Sequence, residues 1–184
     1  MRQGQTGATP WALELPRNPA AIRLHVGTRL TRETIRTCPP ATAPPPVDRV
    51  LEIEAIRAID LHPTHARCNL RSDTDRDEVL GHIEAIMTSA WGPPVELGPD
   101  PGPRAFGAAT AGPRVVAESP AMAAGHPLLE AVFEVDGVAE AIAGDGLVLV
   151  RLGRCYGWGA AEAAVASAVQ TAAGGTPGST STPV

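Results

Sequence analysis

Val50-Leu51-Glu52-Ile53-Glu54-Ala55-Ile56 and Val132-Phe133-Glu134-Val135-Asp136-Gly137-Val138 are one pattern written twice. In each, two apolar residues close a short helical stripe. An acid, an apolar residue, a second acid and a small residue then lead into a β-branched residue. The copies lie 82 residues apart, and the alignment needs no gap from Val47 to Trp91. Val47 falls on Leu129, Leu70 on Leu152 and Ile83 on Val165; Pro19 meets Pro103 after a shift of two. Self-similarity at a fixed offset is the signature of a duplicated structural unit. The chain therefore divides into residues 17–92 and residues 103–173. A Pro/Gly joint at residues 93–102 connects them, semi-rigid rather than floppy. Residues 1–16 and 174–184 read as tails, the second disordered.

Local pattern supplies the elements. Ile22, Leu24 and Val26 alternate with Arg23 and His25, which is a half-buried strand. Residues 30–36 read as extended and residues 37–46 as a Pro-rich loop. Val47, Val50 and Leu51 form a short apolar stripe. Residues 56–61 form a strand, His62-Pro63-Thr64 a turn, and residues 66–70 a strand with Ala66, Cys68 and Leu70 inward. Asp75 and Glu78 form a capping box for a helix over residues 76–91 that ends at Gly92-Pro93. Gly81 within it costs about 1 kcal/mol relative to Ala, so packing must hold the helix. The second unit repeats the order, with strands at 105–109, 114–117, 138–142 and 147–152, a short helix at 128–133 and an Ala-rich helix at 160–173. Gly144-Asp145-Gly146 is a hairpin turn. The expected fold is α+β: two tandem repeats, each an antiparallel sheet with two helices on one face.

The 184 residues carry a net charge of −5, and every basic side chain is an arginine. Residues 1–92 balance 11 arginines against 11 acids, whereas residues 93–184 set 4 against 9. A chain that grips nucleic acid carries a basic excess, so that class is set aside. No apolar run reaches 18 residues, which argues against a membrane partner, and the polar start argues against a signal peptide. Cys38, Cys68 and Cys155 are far apart, with no CxxC. This suits reduced cytosolic thiols and speaks against an ordinary zinc or iron–sulfur site.

Each unit resembles the Nfu/NifU N-terminal scaffold domain, which precedes the cluster-carrying domain in iron–sulfur cluster delivery proteins. Arg17-Asn18-Pro19, and more loosely Pro101-Gly102-Pro103, stand where that family has a Pro-Asn-Pro-like opening. Glu54-Ala55-Ile56 and Asp136-Gly137-Val138 match its acidic-Gly-Val step. Trp158 matches its tryptophan near the final helix, where the first unit has Arg76. The resemblance covers most of both units and excludes the tails. The family's CxxC pair has no counterpart here, and isolated thiolates cannot share a cluster. The resemblance implies an accessory domain kept and doubled, with no cofactor of its own. The chain would be a bacterial cytoplasmic protein that binds another protein of the iron–sulfur machinery.

Other chemistry has thinner support. His62-x-x-His65-x-x-Cys68 has ligand-type residues, but His65 and Cys68 point to opposite faces of a strand, so no metal is expected. Cys155 lies beside Arg154 and near Arg151, whose charges would favour a reactive thiolate, but an ordinary surface thiol is the preferred reading. Glu52/Glu54 and Glu134/Asp136 could be paired carboxylates, yet their recurrence suits a structural corner. No phosphate loop and no Ser-His-Asp signature is present, so no catalytic residue is assigned and an enzyme is not expected. The alternative is a regulatory module responsive to a small molecule or metal held between paired α+β units.

The open sheet faces suggest the partner-binding residues. Arg23, His25, Arg67, Asn69 and Arg71 fall on the open face of the first sheet; Leu147, Leu149 and Arg151 fall on that of the second. Of these, Arg23, Arg67, Arg71, Leu147 and Leu149 are the candidate contacts. The more apolar second face is expected to be covered, by the first unit or by a homodimer partner. The first face is expected to stay open for an acidic partner.

Overall fold

Alternation in residues 21–26 and 65–70 builds the centre of the first sheet. A computed structural model describes residues 9–108, 110, 112–174 and 182–183. In the first unit, β1 (Trp11–Glu14), β2 (Ala21–Val26), β3 (Ile56–Leu61) and β4 (His65–Leu70) form an antiparallel sheet in the order β1-β2-β4-β3. The short helix α1 (Val47–Val50) and the long helix α2 (Arg76–Trp91) accompany it. Val79, Ile83 and Met87 of α2 share one core with Ile22, Leu24, Ile59 and Cys68. Asp75 caps α2 by accepting from the amides of Asp77 (2.9 Å) and Glu78 (3.5 Å), as its sequence position predicts.

In the second unit, β5 (Arg104–Gly107), β6 (Val115–Ala117), β7 (Val138–Gly144) and β8 (Leu147–Leu152) pair in the order β6-β7-β8-β5. The helices are α3 (Pro120–Ala123), α4 (Pro127–Phe133) and α5 (Trp158–Ala172). A two-residue strand, β9 (Thr182–Pro183), borders β5. The hairpin between β7 and β8 turns through positive φ at Asp145 and Gly146. A separate core gathers Phe106, Leu129, Phe133, Val150 and Val165. Among the described residues, strands pair only within their own unit, so the chain is α+β with two repeats.

The duplication extends to an irregularity. The β3–β4 register shifts between Ile56 and Ala58, and the β7–β8 register shifts between Val138 and Glu140. These positions are again 82 apart. Ile56 opposes Leu70 as Val138 opposes Leu152.

Three sequence expectations are corrected. Residues 1–16 are not all tail: Trp11–Glu14 is an edge strand, and Trp11 is wholly buried. The C-terminal tail contributes β9, while residues 1–8, 175–181 and 184 lie outside the described residues, as does Ala109 of the expected 105–109 strand. Residues 30–36 form no strand; only an isolated bridge joins Ile35 to Leu61, because this loop is drawn onto the second unit. Helix α2 is held by the packing of Val79, Ile83 and Met87, and a Cβ at Gly81 would meet nothing within 4 Å. Gly81→Ala should therefore raise stability by about 0.5–1 kcal/mol, read as a higher urea midpoint at unchanged m.

Candidate functional site

The antiparallel register of β1, β2 and β4 decides which polar side chains meet. His25 lies across from His65, Arg23 across from Arg67, and Glu14 across from Arg23. Their inward neighbours Leu24, Ala66 and Cys68 are fully buried, so these polar residues project from the face that carries no helix. The turn after β3 folds His62 back, with its amide bonded to the His65 carbonyl at 2.9 Å. Its ring stacks on His65 at 4.3 Å between centroids, and the His65 ring lies 5.6 Å from that of His25.

The second unit closes over this row. Ala139, Glu140, Arg151, Leu152, Gly153 and Arg154 face it across two adjoining grooves of about 240 and 210 Å³. The approach is close: a Cβ on Gly153 would lie 2.6 Å from the Cβ of Thr64, so this position needs a glycine. His25 is consequently only 6% exposed. This corrects the expectation of an open first face. Its His25 end is covered by the second unit, and the coverage is mutual, since Glu140 and Arg151 come from the open face of the second sheet.

Charge is organised around Glu14. It accepts from His25 Nε2 at 2.7 Å and pairs with Arg23 (3.5 Å) and with Arg154 of the second unit (3.6 Å). Burial opposes ionisation of Glu14, but its bond and charge contact with His25, helped by the two guanidiniums, hold its pKa below the ordinary value. Arg154 also donates to the Gly98 carbonyl (2.7 Å), and Arg151 pairs with Asp100 (3.1 Å) and Glu140 (3.4 Å). The Pro/Gly joint is thereby tied to the second unit. Arg154 Nε is buried with no partner among the described residues. All three histidines are shifted down, chiefly by burial. His65, with His62, His25 and Arg23 beside it, falls to about 3. His65 is therefore a neutral imidazole at neutral pH, and His25 and His62 are less basic than free imidazoles.

A second contact joins the units at the helix-to-strand corner of α4 and β7. Arg29 Nη2 donates to the carbonyls of Phe133 and Val135 (3.2 Å to the latter), and Arg32 pairs with Glu134 at 2.9 Å. The Arg32 carbonyl accepts from the Ala121 amide at 3.0 Å.

The candidate contact residues are dispersed. Arg23 lines the groove, and Arg67 is paired in register with Asp60. Arg71 is exposed at the far end, its Nε donating to the Glu54 carbonyl at 2.6 Å. Leu147 and Leu149 are half-buried on β8, facing Gly107 and Ala105 of β5. Glu14, Thr64, Gly153, Arg154 and the Arg29/Arg32 pair were not legible as site residues. Among them only Gly153 carries a local signal, a glycine just after a strand.

The thiols are quiet. Cys68 lies in the first core, where burial pushes its pKa up to about 12. It points away from His62 and His65, whose rings lie parallel instead of converging. No group of three His, Cys, Asp or Glu among the described residues is arranged to hold a metal. Cys38 is buried with Sγ 3.2 Å from Thr42 Oγ1. Burial raises Cys155 to about 11, and Arg154 offsets this only in part, so the thiol stays protonated at neutral pH and its candidacy as a reactive thiolate gains no support. Trp158 opens α5, donates to the Gly102 carbonyl at 3.2 Å and carries the Arg104 guanidinium 5.1 Å from its ring centre. Among the described residues no helix is long and apolar enough to cross a membrane. No protein-family model matches the chain, and neither does a curated protein or a solved structure.

Proposed function

We propose that the chain is a non-catalytic, two-module accessory protein that binds another protein beside cytoplasmic iron–sulfur cluster assembly or delivery. The observation that carries this reading is the recurrence, in both units, of the corner and bulged strand that begin at Glu54-Ala55-Ile56 and Asp136-Gly137-Val138. These are the residues on which the likeness to the Nfu/NifU N-terminal scaffold domain rests. Gly137 supports it further. Its φ of +90° is a conformation for glycine, and the Tyr156 ring lies 2.4 Å from where a Cβ would stand. The test of the proposal is binding of the purified full chain to purified cluster-scaffold and sulfur-mobilising proteins. Saturable binding to one of them is expected, and binding to none overturns the proposal.

A second reading, a module responsive to a small molecule, is favoured by the groove between the units. His25, His65, Arg23 and Arg151 converge there, and Arg154 Nε is buried without a partner among the described residues. A metabolite recovered with the purified chain and lost on Arg151→Ala would favour it over the first reading.

A further inference from the structure

The recurring acid pair at the helix-to-strand corner has a definite task in the second unit. Glu134 binds Arg32, and Arg29 lies 4.0 Å from Asp136 while donating to the Phe133 and Val135 carbonyls. The final carbonyls of a helix have no intrahelical donor, and a guanidinium fork suits carbonyls and a carboxylate together. Arg29 and Arg32 are three residues apart, so the corner reads an R-x-x-R segment.

The first unit has the same corner. Leu51 and Ile53 stand at the positions of Phe133 and Val135, and Glu52 and Glu54 at those of Glu134 and Asp136. The backbone agrees. Ile53 bonds to the Val50 carbonyl (3.2 Å) as Val135 does to Val132 (3.1 Å), and Arg71 bonds to Ala55 (2.9 Å) as Gly153 does to Gly137 (2.8 Å). Two differences mark the first corner. Ala55 lacks the positive φ of Gly137, and Arg71 Nε takes the Glu54 carbonyl. Among the described residues no side chain donates to the Leu51 or Ile53 carbonyl. Glu52 and Glu54 are exposed, and a groove of about 390 Å³ lined by Ile53, Glu54, Arg71, Thr74 and Glu78 opens beside them.

We infer that this corner of the first unit is a docking socket for an arginine pair, spaced R-x-x-R, on a different protein. A second copy of the chain is a poor occupant. Its Arg29–Arg32 loop is already engaged within its own chain, and its other R-x-x-R segment, Arg151–Arg154, is held by Asp100, Glu140, Glu14 and the Gly98 carbonyl. The inference rests on the interaction reading above and names the chemistry of the partner.

The test titrates the isotope-labelled full chain with a synthetic peptide of residues 27–36, followed by amide NMR. Saturable shifts at residues 51–55 and 71–74 are expected. They should vanish with a peptide in which both Arg29 and Arg32 are alanine. Affinity should fall at least tenfold in the Glu52→Gln, Glu54→Gln chain, whose substitutions are exposed and whose remaining spectrum reports an intact fold. No saturable shift overturns the inference. So do equal binding of the alanine peptide and shifts confined to residues 133–137, where the peptide would merely displace the chain's own loop. Binding to cluster-assembly proteins can fail while the peptide still binds, and the reverse, so the two proposals are separable.

Discussion

Trp11→Ala is expected to lower stability by about 3–5 kcal/mol, the cost of truncating a large, fully buried aromatic side chain. Trp11 sits in the first core, wholly excluded from solvent. Its Nε1–H donates to the carbonyl of Gly92 at 2.8 Å, fastening β1 to the end of α2. Its own carbonyl accepts from the Val95 amide at 2.8 Å, so the joint between the units starts from the same residue. Truncation leaves a cavity and frees the edge of the sheet. The measurement is urea unfolding, with exposed Leu15→Ala as a control expected to stay within about 0.5 kcal/mol. A Trp11→Ala midpoint no lower than that of the control would mean that β1 adds nothing to the first unit.

The second large effect is loss of stability in mild acid. His25, His62 and His65 all titrate lower in the folded chain than the ordinary value near 6.5, and His65 falls to about 3. The unfolded chain therefore binds more protons than the folded one between these values. The stabilising contribution is complete above about pH 6.5 and is lost as pH falls toward 3. His65 alone adds a slope of up to about 1.4 kcal/mol per pH unit within that window, and His25 and His62 act in the same direction. Burial sets the sign, and the charged groups facing the row modify it. Arg23, Arg36, Arg151 and Arg154 oppose an imidazolium, whereas Glu14, Asp60, Asp100, Glu118 and Glu140 favour one. Desolvation outweighs the acids. Urea unfolding at pH 7.5, 6.0 and 5.0 should show stability falling steeply, and His65→Gln should flatten the dependence by close to one histidine's share. A variant with the parent's full slope would show that His65 does not titrate on unfolding.

Periodicity within a segment was enough for β2, β3, β4, α2 and the corners, because each buries a regular stripe against its own unit. It was not enough for Trp11–Glu14. Four residues in a polar, Pro-flanked stretch carry too little pattern, and only pairing with β2 makes them a strand. Residues 30–36 misled for the opposite reason. Thr and Ile suggest a strand, but Arg29 and Arg32 find better partners on the second unit than along β3. His25 looked like a solvated face residue because alternation reports which face a side chain takes, not what later packs on that face. The acid pairs at Glu52/Glu54 and Glu134/Asp136 were visible, and their recurrence was legible as structure. What they bind depends on a loop about 100 residues away, which no local pattern discloses.

The central claim is that two separately folded units are clasped by Arg29 and Arg32 at the α4–β7 corner. Residual dipolar couplings test it most directly, comparing the parent chain with the Arg29→Ala, Arg32→Ala variant. In the parent, couplings from both units should fit a single alignment tensor. In the variant, each unit should still fit a tensor with its own unchanged fold, but the two tensors should diverge. A variant whose units continue to share one tensor would contradict the claim and assign the clasp to the histidine groove alone.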